Sequence, residues 1–188
     1  MKSKWKLNEI IFVAISGMAI AVIFFGWTFI YTLIKPLKIF GLNYLFTGMW
    51  VAGGIFIPYI IRKPGSAIYG EMAAAFFEMF ITGWGMTALL WGLVQGIICE
   101  IVFMIFGYKK YNLVVAVIAG ALANLGAYFL DFIFYKYAGL KSWLIINGIW
   151  SSLLSGAILG GILSVVAADS LKKAGILRKF RIANEDKH

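Results

Sequence analysis

A chain of 188 residues with 62% hydrophobic side chains, 17% aromatics and only 13% charged residues lacks the polar cover that a water-soluble domain of this size requires. Its formal charge of +9 falls in short basic clusters between apolar runs, a pattern of membrane orientation rather than of a nucleic-acid-binding face. One cysteine, Cys99, excludes an internal disulfide, and with the only histidine at His188 no Cys/His metal centre can be assembled.

The first apolar run follows a basic N-terminus, extends for about 25 residues and has no clear cleavage site, too long for the apolar core of a signal peptide. It reads as a retained helix over 9–34. A second uncharged run gives a helix over 40–61. The stretch from Pro64 to Tyr108 is about twice the ~20 residues one crossing needs, and Thr82, Gly83, Trp84 and Gly85 break it in a turn-like composition, so it is divided into helices over 65–82 and 85–107. Helices over 111–135 and 143–168 follow, and then a basic tail over 169–188. The expected fold is all-α: one integral membrane domain over 1–188, a bundle of six transmembrane helices with short loops.

Orientation follows from the basic residues. With the N-terminus inside, the inner segments hold thirteen (Lys2, Lys4, Lys6, Arg62, Lys63, Lys109, Lys110, Lys172, Lys173, Arg178, Lys179, Arg181 and Lys187), against four outside (Lys35, Lys38, Lys136 and Lys141). This positive-inside asymmetry places both termini in the cytoplasm of a multi-pass protein of the cell membrane.

Ionisable residues inside a span cost about 2.5–3.5 kcal/mol each at mid-membrane and normally face the bundle interior. There are four: Glu71, Glu78, Glu100 and Asp131. Glu71 and Glu78 lie two helical turns apart and share a face. At ~1.5 Å per residue, Glu78 and Asp131 form an outer tier, and Glu71 and Glu100 a deeper one. The same depth places Trp84, Trp91, Tyr128, Asn147, Trp150 and Ser151 around the outer tier, with Gln95 and Asn124 nearer the middle. Carboxylates, amides and aromatic rings together suit a flat cationic or amino-substituted heteroaromatic ligand, whose ring stacks while its N–H edge is held by a carboxylate. No lysine or arginine lies within the spans, which disfavours an anionic substrate. Trp5 and Trp143 read as interfacial belt residues.

Small residues four apart, Gly17 and Ala21, Gly92 and Gly96, and Gly156 and Gly160, would each line a helix face that admits another backbone. The first helix has no ionisable residue in its uncharged run from Ile10 to Ile34, so Gly17 and Ala21 are expected to face a partner protein. An enzyme is not expected, because no Ser-His or Cys-His pair can form; no cofactor is expected, and without a Gly-x-x-x-x-Gly-Lys motif any use of ATP falls to another chain. An ion- or proton-coupled carrier of a small cationic heteroaromatic solute, with the carboxylates as a relay, is the alternative reading. Small size and the absence of an obvious inverted repeat count against it.

The block from Tyr59 through Arg62, Lys63, Pro64 and Gly65 to Ala67, then Glu71, Ala74, Ala75 and Glu78, then Gly92 to Gly96 with Glu100 and Phe103, resembles the YkoE-type S components of energy-coupling factor (ECF) transporters. The resemblance runs on through Ala119, Gly120, Asp131 and Ser155 to Ala157, covering most of the chain. It implies a membrane-embedded vitamin-capture subunit of an ABC importer, with thiamine or hydroxymethylpyrimidine as substrate. The partners implied are a transmembrane T component and two cytoplasmic ATPases. In related S components an Ala-x-x-x-Ala pattern on the first helix docks the T component; Gly17 and Ala21 are the nearest match, with glycine in place of one alanine.

Overall fold

The computed structural model describes residues 4–183, and every regular element among them is helical. Helix α1 (Leu7–Ile34) starts at a carboxylate clamp: Glu9 accepts the Lys6 backbone N–H at 2.7 Å and the Lys63 ammonium at 2.7 Å. These contacts satisfy a helix-start donor and neutralise a buried lysine together. A 3-10 turn (Lys35–Phe40) ends α1 at Gly41, whose φ of +70° favours glycine.

The second crossing is not one helix over 40–61. A 3-10 helix (Asn43–Val51) leads into α2 (Gly53–Ile61). Gly53 and Gly54 at the junction are weak helix formers, and a Cβ on Gly53 would lie 2.9 Å from the Gly70 carbonyl, so the glycine also lets the next helix approach. Arg62 closes α2 at a φ of +55°, and Pro64 and Gly65 (φ +85°) turn the chain into α3 (Ser66–Ile81). The Arg-Lys-Pro-Gly block is therefore the tight corner between α2 and α3. After the Thr82–Gly85 break come α4 (Thr87–Ile105) and α5 (Leu113–Phe134), the latter capped by Asn112, which accepts the Val115 N–H at 3.0 Å. The last crossing is α6 (Ser142–Ser155), a π-helical segment (Gly156–Ile162) and α7 (Leu163–Lys173).

Five stretches are long and apolar enough to cross a membrane: Leu7–Phe40, Asn43–Ile61, Thr87–Ile105, Leu113–Phe134 and Ser142–Lys173. The remaining one of the six expected helices, that over 65–82, is α3, which has 16 residues, or about 24 Å, and is sheltered by α1, α2 and α4. Small residues make these contacts possible. A Cβ on Gly92 would lie 2.6 Å from Ala75, one on Gly96 would lie 3.1 Å from the Ile68 Cα, and a Cβ on Gly120 or Gly156 would overlap the other's carbonyl.

Two expectations are corrected here. Gly17 and Ala21 do not face outward: Ala21 is fully buried, and a Cβ on Gly17 would lie 2.6 Å from that of Ala73. The pair serves the close crossing of α1 with α3. The outward face of α1 carries larger side chains, among them Ile11, Ile15, Met18, Val22 and Phe29. The basic tail also differs, because α7 continues to Lys173 and the chain beyond it folds back with Leu177 and Ile182 fully buried. Phe180 meets Phe12 of α1 at 4.4 Å between ring centroids. Met1, Lys2, Lys187 and His188 of the sequence reading lie outside the described residues.

Candidate substrate cavity

A cavity of about 350 Å³ opens at the end of the bundle where α1 finishes, within the size range of small-molecule sites. Its walls come from the end of α1, the 3-10 helix, α3, α4 and α5. The 3-10 geometry matters: with three residues per turn, Tyr44, Thr47 and Trp50 stack on one edge, and all three line the cavity.

Two carboxylates stand in it, each held by an indole. Glu78 accepts the Trp50 Nε1–H at 2.7 Å through Oε1, while Oε2 accepts no donor among the described residues. Asp131 is more fully used: Oδ1 accepts the Trp91 Nε1–H at 2.7 Å, and Oδ2 accepts the Tyr44 hydroxyl at 2.8 Å. At the mouth the Tyr137 hydroxyl lies 3.3 Å from that of Tyr44, and burial holds its phenol above the usual range, so it remains a neutral donor.

Beside Glu78 three rings form a box. Tyr31 meets Trp50 edge-on at 5.4 Å, Trp50 meets Trp84 edge-on at 6.2 Å, and Tyr31 and Trp84 are 6.4 Å apart. The buried Trp84 Nε1 has no hydrogen-bond partner among the described residues, nor does Oδ1 of Asn124. The Asn124 amide nitrogen is engaged, donating to Thr47 Oγ1 at 3.0 Å and to the Ser152 carbonyl at 2.8 Å. Gln95 also lines the cavity and is nearly fully buried. The cavity thus offers free carboxylate and amide acceptors and an indole donor between aromatic faces, a set that suits a planar molecule bearing N–H groups and positive charge.

Eight residues expected at the site do converge on this cavity: Glu71, Glu78, Trp84, Trp91, Gln95, Asn124, Tyr128 and Asp131. Glu71 is also a structural cap, its Oε2 accepting the Gly54 N–H at 2.6 Å where α2 begins. Tyr128 donates to the Ile145 carbonyl at 3.1 Å, which ties α5 to α6. Two expected residues are not part of the cavity. Glu100 accepts the Gly65 and Ala67 N–H groups at 2.5 and 3.0 Å and the Tyr108 hydroxyl at 2.8 Å, capping the start of α3 at the opposite end. The deeper tier of Glu71 and Glu100 is thus two separate helix caps. Asn147 donates to the Phe40 carbonyl at 3.0 Å and pins the connection after α1.

The sequence reading missed Tyr31, Tyr44, Trp50 and Tyr137, and also Lys35 and Lys38, which line the rim. Polar and aromatic groups at 44, 47 and 50 in an otherwise apolar run carried the signal, but only at a three-residue period. Both lysines lie within the Leu7–Phe40 stretch, at its end beyond the 9–34 span expected from the sequence, so the cavity has basic residues on its lining after all. Lys38 sits over the Tyr137 ring at 5.4 Å, a cation–π contact that engages its charge at the mouth.

Residues 8–126 match the family described as the permease component of an ABC-type cobalt transport system. The chain is 30% identical over 188 residues to the putative HMP/thiamine permease protein YkoE of Bacillus subtilis (strain 168), covering 98% of this chain and 93% of that one. A solved structure, an S component of an ECF transporter, superposes with a TM-score of 0.90 at 29% identity, covering 98% of this chain and 94% of the other.

Proposed function

Since this chain belongs to the S components of ECF transporters, we propose that its cavity captures thiamine or the hydroxymethylpyrimidine precursor from outside the cell. The observation that carries the reading is the free Oε2 of Glu78 beside the box of Tyr31, Trp50 and Trp84. An aminopyrimidine presents an amino group next to a ring nitrogen, and a carboxyl can grip that edge in two places. A thiazolium ring brings a cation to an aromatic face. The name of the Bacillus subtilis relative points to the same two ligands.

In this reading the cavity faces outward and both termini are cytoplasmic, which the thirteen-to-four distribution of basic residues supports. The whole chain acts as a single membrane domain, and energy comes from a T component and two cytoplasmic ATPases. Glu78 supplies the principal anion and Glu71, on the same face of α3, the floor; Trp84, Trp91, Gln95, Asn124, Tyr128 and Asp131 complete the walls.

The test is calorimetric titration of the detergent-purified protein with thiamine and with hydroxymethylpyrimidine. Glu78→Gln should weaken binding by roughly 1.5–3 kcal/mol through loss of a charged hydrogen bond, with little change in unfolding temperature. Unchanged affinity in the folded variant would remove Glu78 from the site. Reconstitution alone in vesicles under an imposed proton or sodium gradient should give no uphill uptake; accumulation there would replace capture with an ion-coupled carrier.

A further inference from the structure

The opposite end of the bundle holds a second cleft, of about 780 Å³, that the substrate cavity does not reach. Arg62, Lys109, Lys110, Lys172 and Lys173 line it, brought together from the α2–α3 corner, the α4–α5 connection and the end of α7. Its floor is the start of α5, where Asn112 and Leu113 lie at the positive end of a 22-residue helix. Arg62 is presented over two aromatic faces, 5.7 Å from the Tyr59 ring and 5.9 Å from the Tyr111 ring.

A second observation is independent of the charge. Tyr111 lines the cleft, is 92% buried by its 8% exposure, and its hydroxyl has no hydrogen-bond partner among the described residues. An orphaned buried hydroxyl costs free energy unless a bound group satisfies it. Among the described residues Asp169 is the one acidic side chain on this wall, against five basic ones. Outside it the surface turns apolar: Leu113, itself a lining residue, and Val114 are 46% and 64% exposed at the start of a membrane-spanning helix.

We propose that this cleft binds the phosphate headgroup of an anionic phospholipid, with the acyl chains lying along the exposed start of α5. Basic clusters at a membrane face attract anionic lipids by charge. The cleft adds to that general attraction a helix N-terminus, an unmatched hydroxyl and an adjoining apolar wall. Lipid, rather than soluble phosphate, is favoured because the apolar wall continues directly from the charged one. The proposal does not depend on the identity of the captured vitamin.

Native mass spectrometry of the full chain, released from micelles containing equal phosphatidylglycerol and phosphatidylcholine, tests it. Phosphatidylglycerol should be retained preferentially, and inorganic phosphate added at millimolar concentration should leave it bound. Joint replacement of Lys109, Lys110 and Lys173 by glutamine should reduce its occupancy at least about tenfold, and joint replacement by arginine should restore it. Tyr111→Phe, which removes only the hydroxyl, should lower occupancy while leaving the unfolding temperature of the lipid-free protein unchanged or raised. Equal retention of the two lipids, or undiminished retention in the glutamine variant, would overturn the site. Displacement by inorganic phosphate would overturn the lipid and assign the cleft to a soluble anion. Undiminished lipid with lost copurification of the ATPase partners would assign it to a protein contact instead.

Discussion

The two ends of the bundle use the same side chain for opposite purposes. At the end where α2 turns into α3, Glu9 is tied to Lys63 and the Lys6 N–H, and Glu100 accepts two backbone N–H groups and a phenol. At the cavity end, Glu78 takes one indole hydrogen bond and keeps an oxygen free. A buried carboxylate whose acceptor capacity is filled by its own chain is architecture. One left with spare capacity in a cavity is available to a ligand. Burial alone does not separate them, since Glu100 is 9% exposed and Glu78 3%.

Breaking the saturated end should give the largest effect on folding. Glu100→Ala leaves the Gly65 and Ala67 N–H groups and the Tyr108 hydroxyl without their acceptor, and at about 1–3 kcal/mol for a buried group left unsatisfied the loss should be about 3 kcal/mol or more. Thermal unfolding in detergent measures it, and molecules that remain folded should bind ligand with unchanged affinity. Weakened binding without destabilisation would reverse the assignment of the two ends.

Between the ends, Gly17 separates helix packing from partner docking. Gly17→Leu pushes a side chain into Ala73 and the α3 backbone, an overpacking that costs about 1–3 kcal/mol. The isolated protein should lose stability by that amount, seen as a lower unfolding temperature. Full stability with transport lost only in the presence of partners would restore the docking role that the spacing first suggested.

The contrast between the ends was only half legible in the sequence. Charge cost in lipid identified Glu71, Glu78, Glu100 and Asp131 as inward-facing, and helix period placed Glu71 and Glu78 together. What Glu100 does depends on the corner at Arg62 to Gly65, where a left-handed residue and a proline start α3 with exposed N–H groups, a donor set visible only once the backbone is turned. Tyr44 and Trp50 escaped notice because an apolar run was given the α-helical period while the chain adopts 3-10 geometry there. The small pair on α1 was read correctly as permitting close approach, but spacing does not say whether the neighbour lies in the same chain.

At the unsaturated end, Trp50→Phe should have a moderate effect. It keeps a ring in the box and removes the Nε1–H that orients Glu78, so affinity should fall by about 0.5–1.5 kcal/mol, the net worth of an ordinary hydrogen bond. Titration with thiamine measures it alongside Glu78→Gln, and the double variant should lose less than the sum because both act through one carboxylate. Strict additivity would mean that Trp50 touches the ligand without positioning Glu78.

The smallest effect belongs to Tyr108, which seals the saturated end. Burial, and then the hydrogen bond to Glu100 and its negative charge, push the phenol up to about 12. An unfolded tyrosine titrates near 10, so the folded state holds this proton more tightly. Its contribution to stability is therefore complete below about pH 10 and is lost as the pH rises through about 12. Comparing wild type with Tyr108→Phe cancels tyrosines common to both, including Tyr111, which burial also raises. The stability of wild type relative to the variant should be constant from pH 8 to 10 and decline from there toward pH 12, as followed by unfolding temperature. A constant difference across the whole range would mean that Tyr108 does not give its proton to Glu100, leaving that carboxylate with spare acceptor capacity and removing part of the distinction between the two ends.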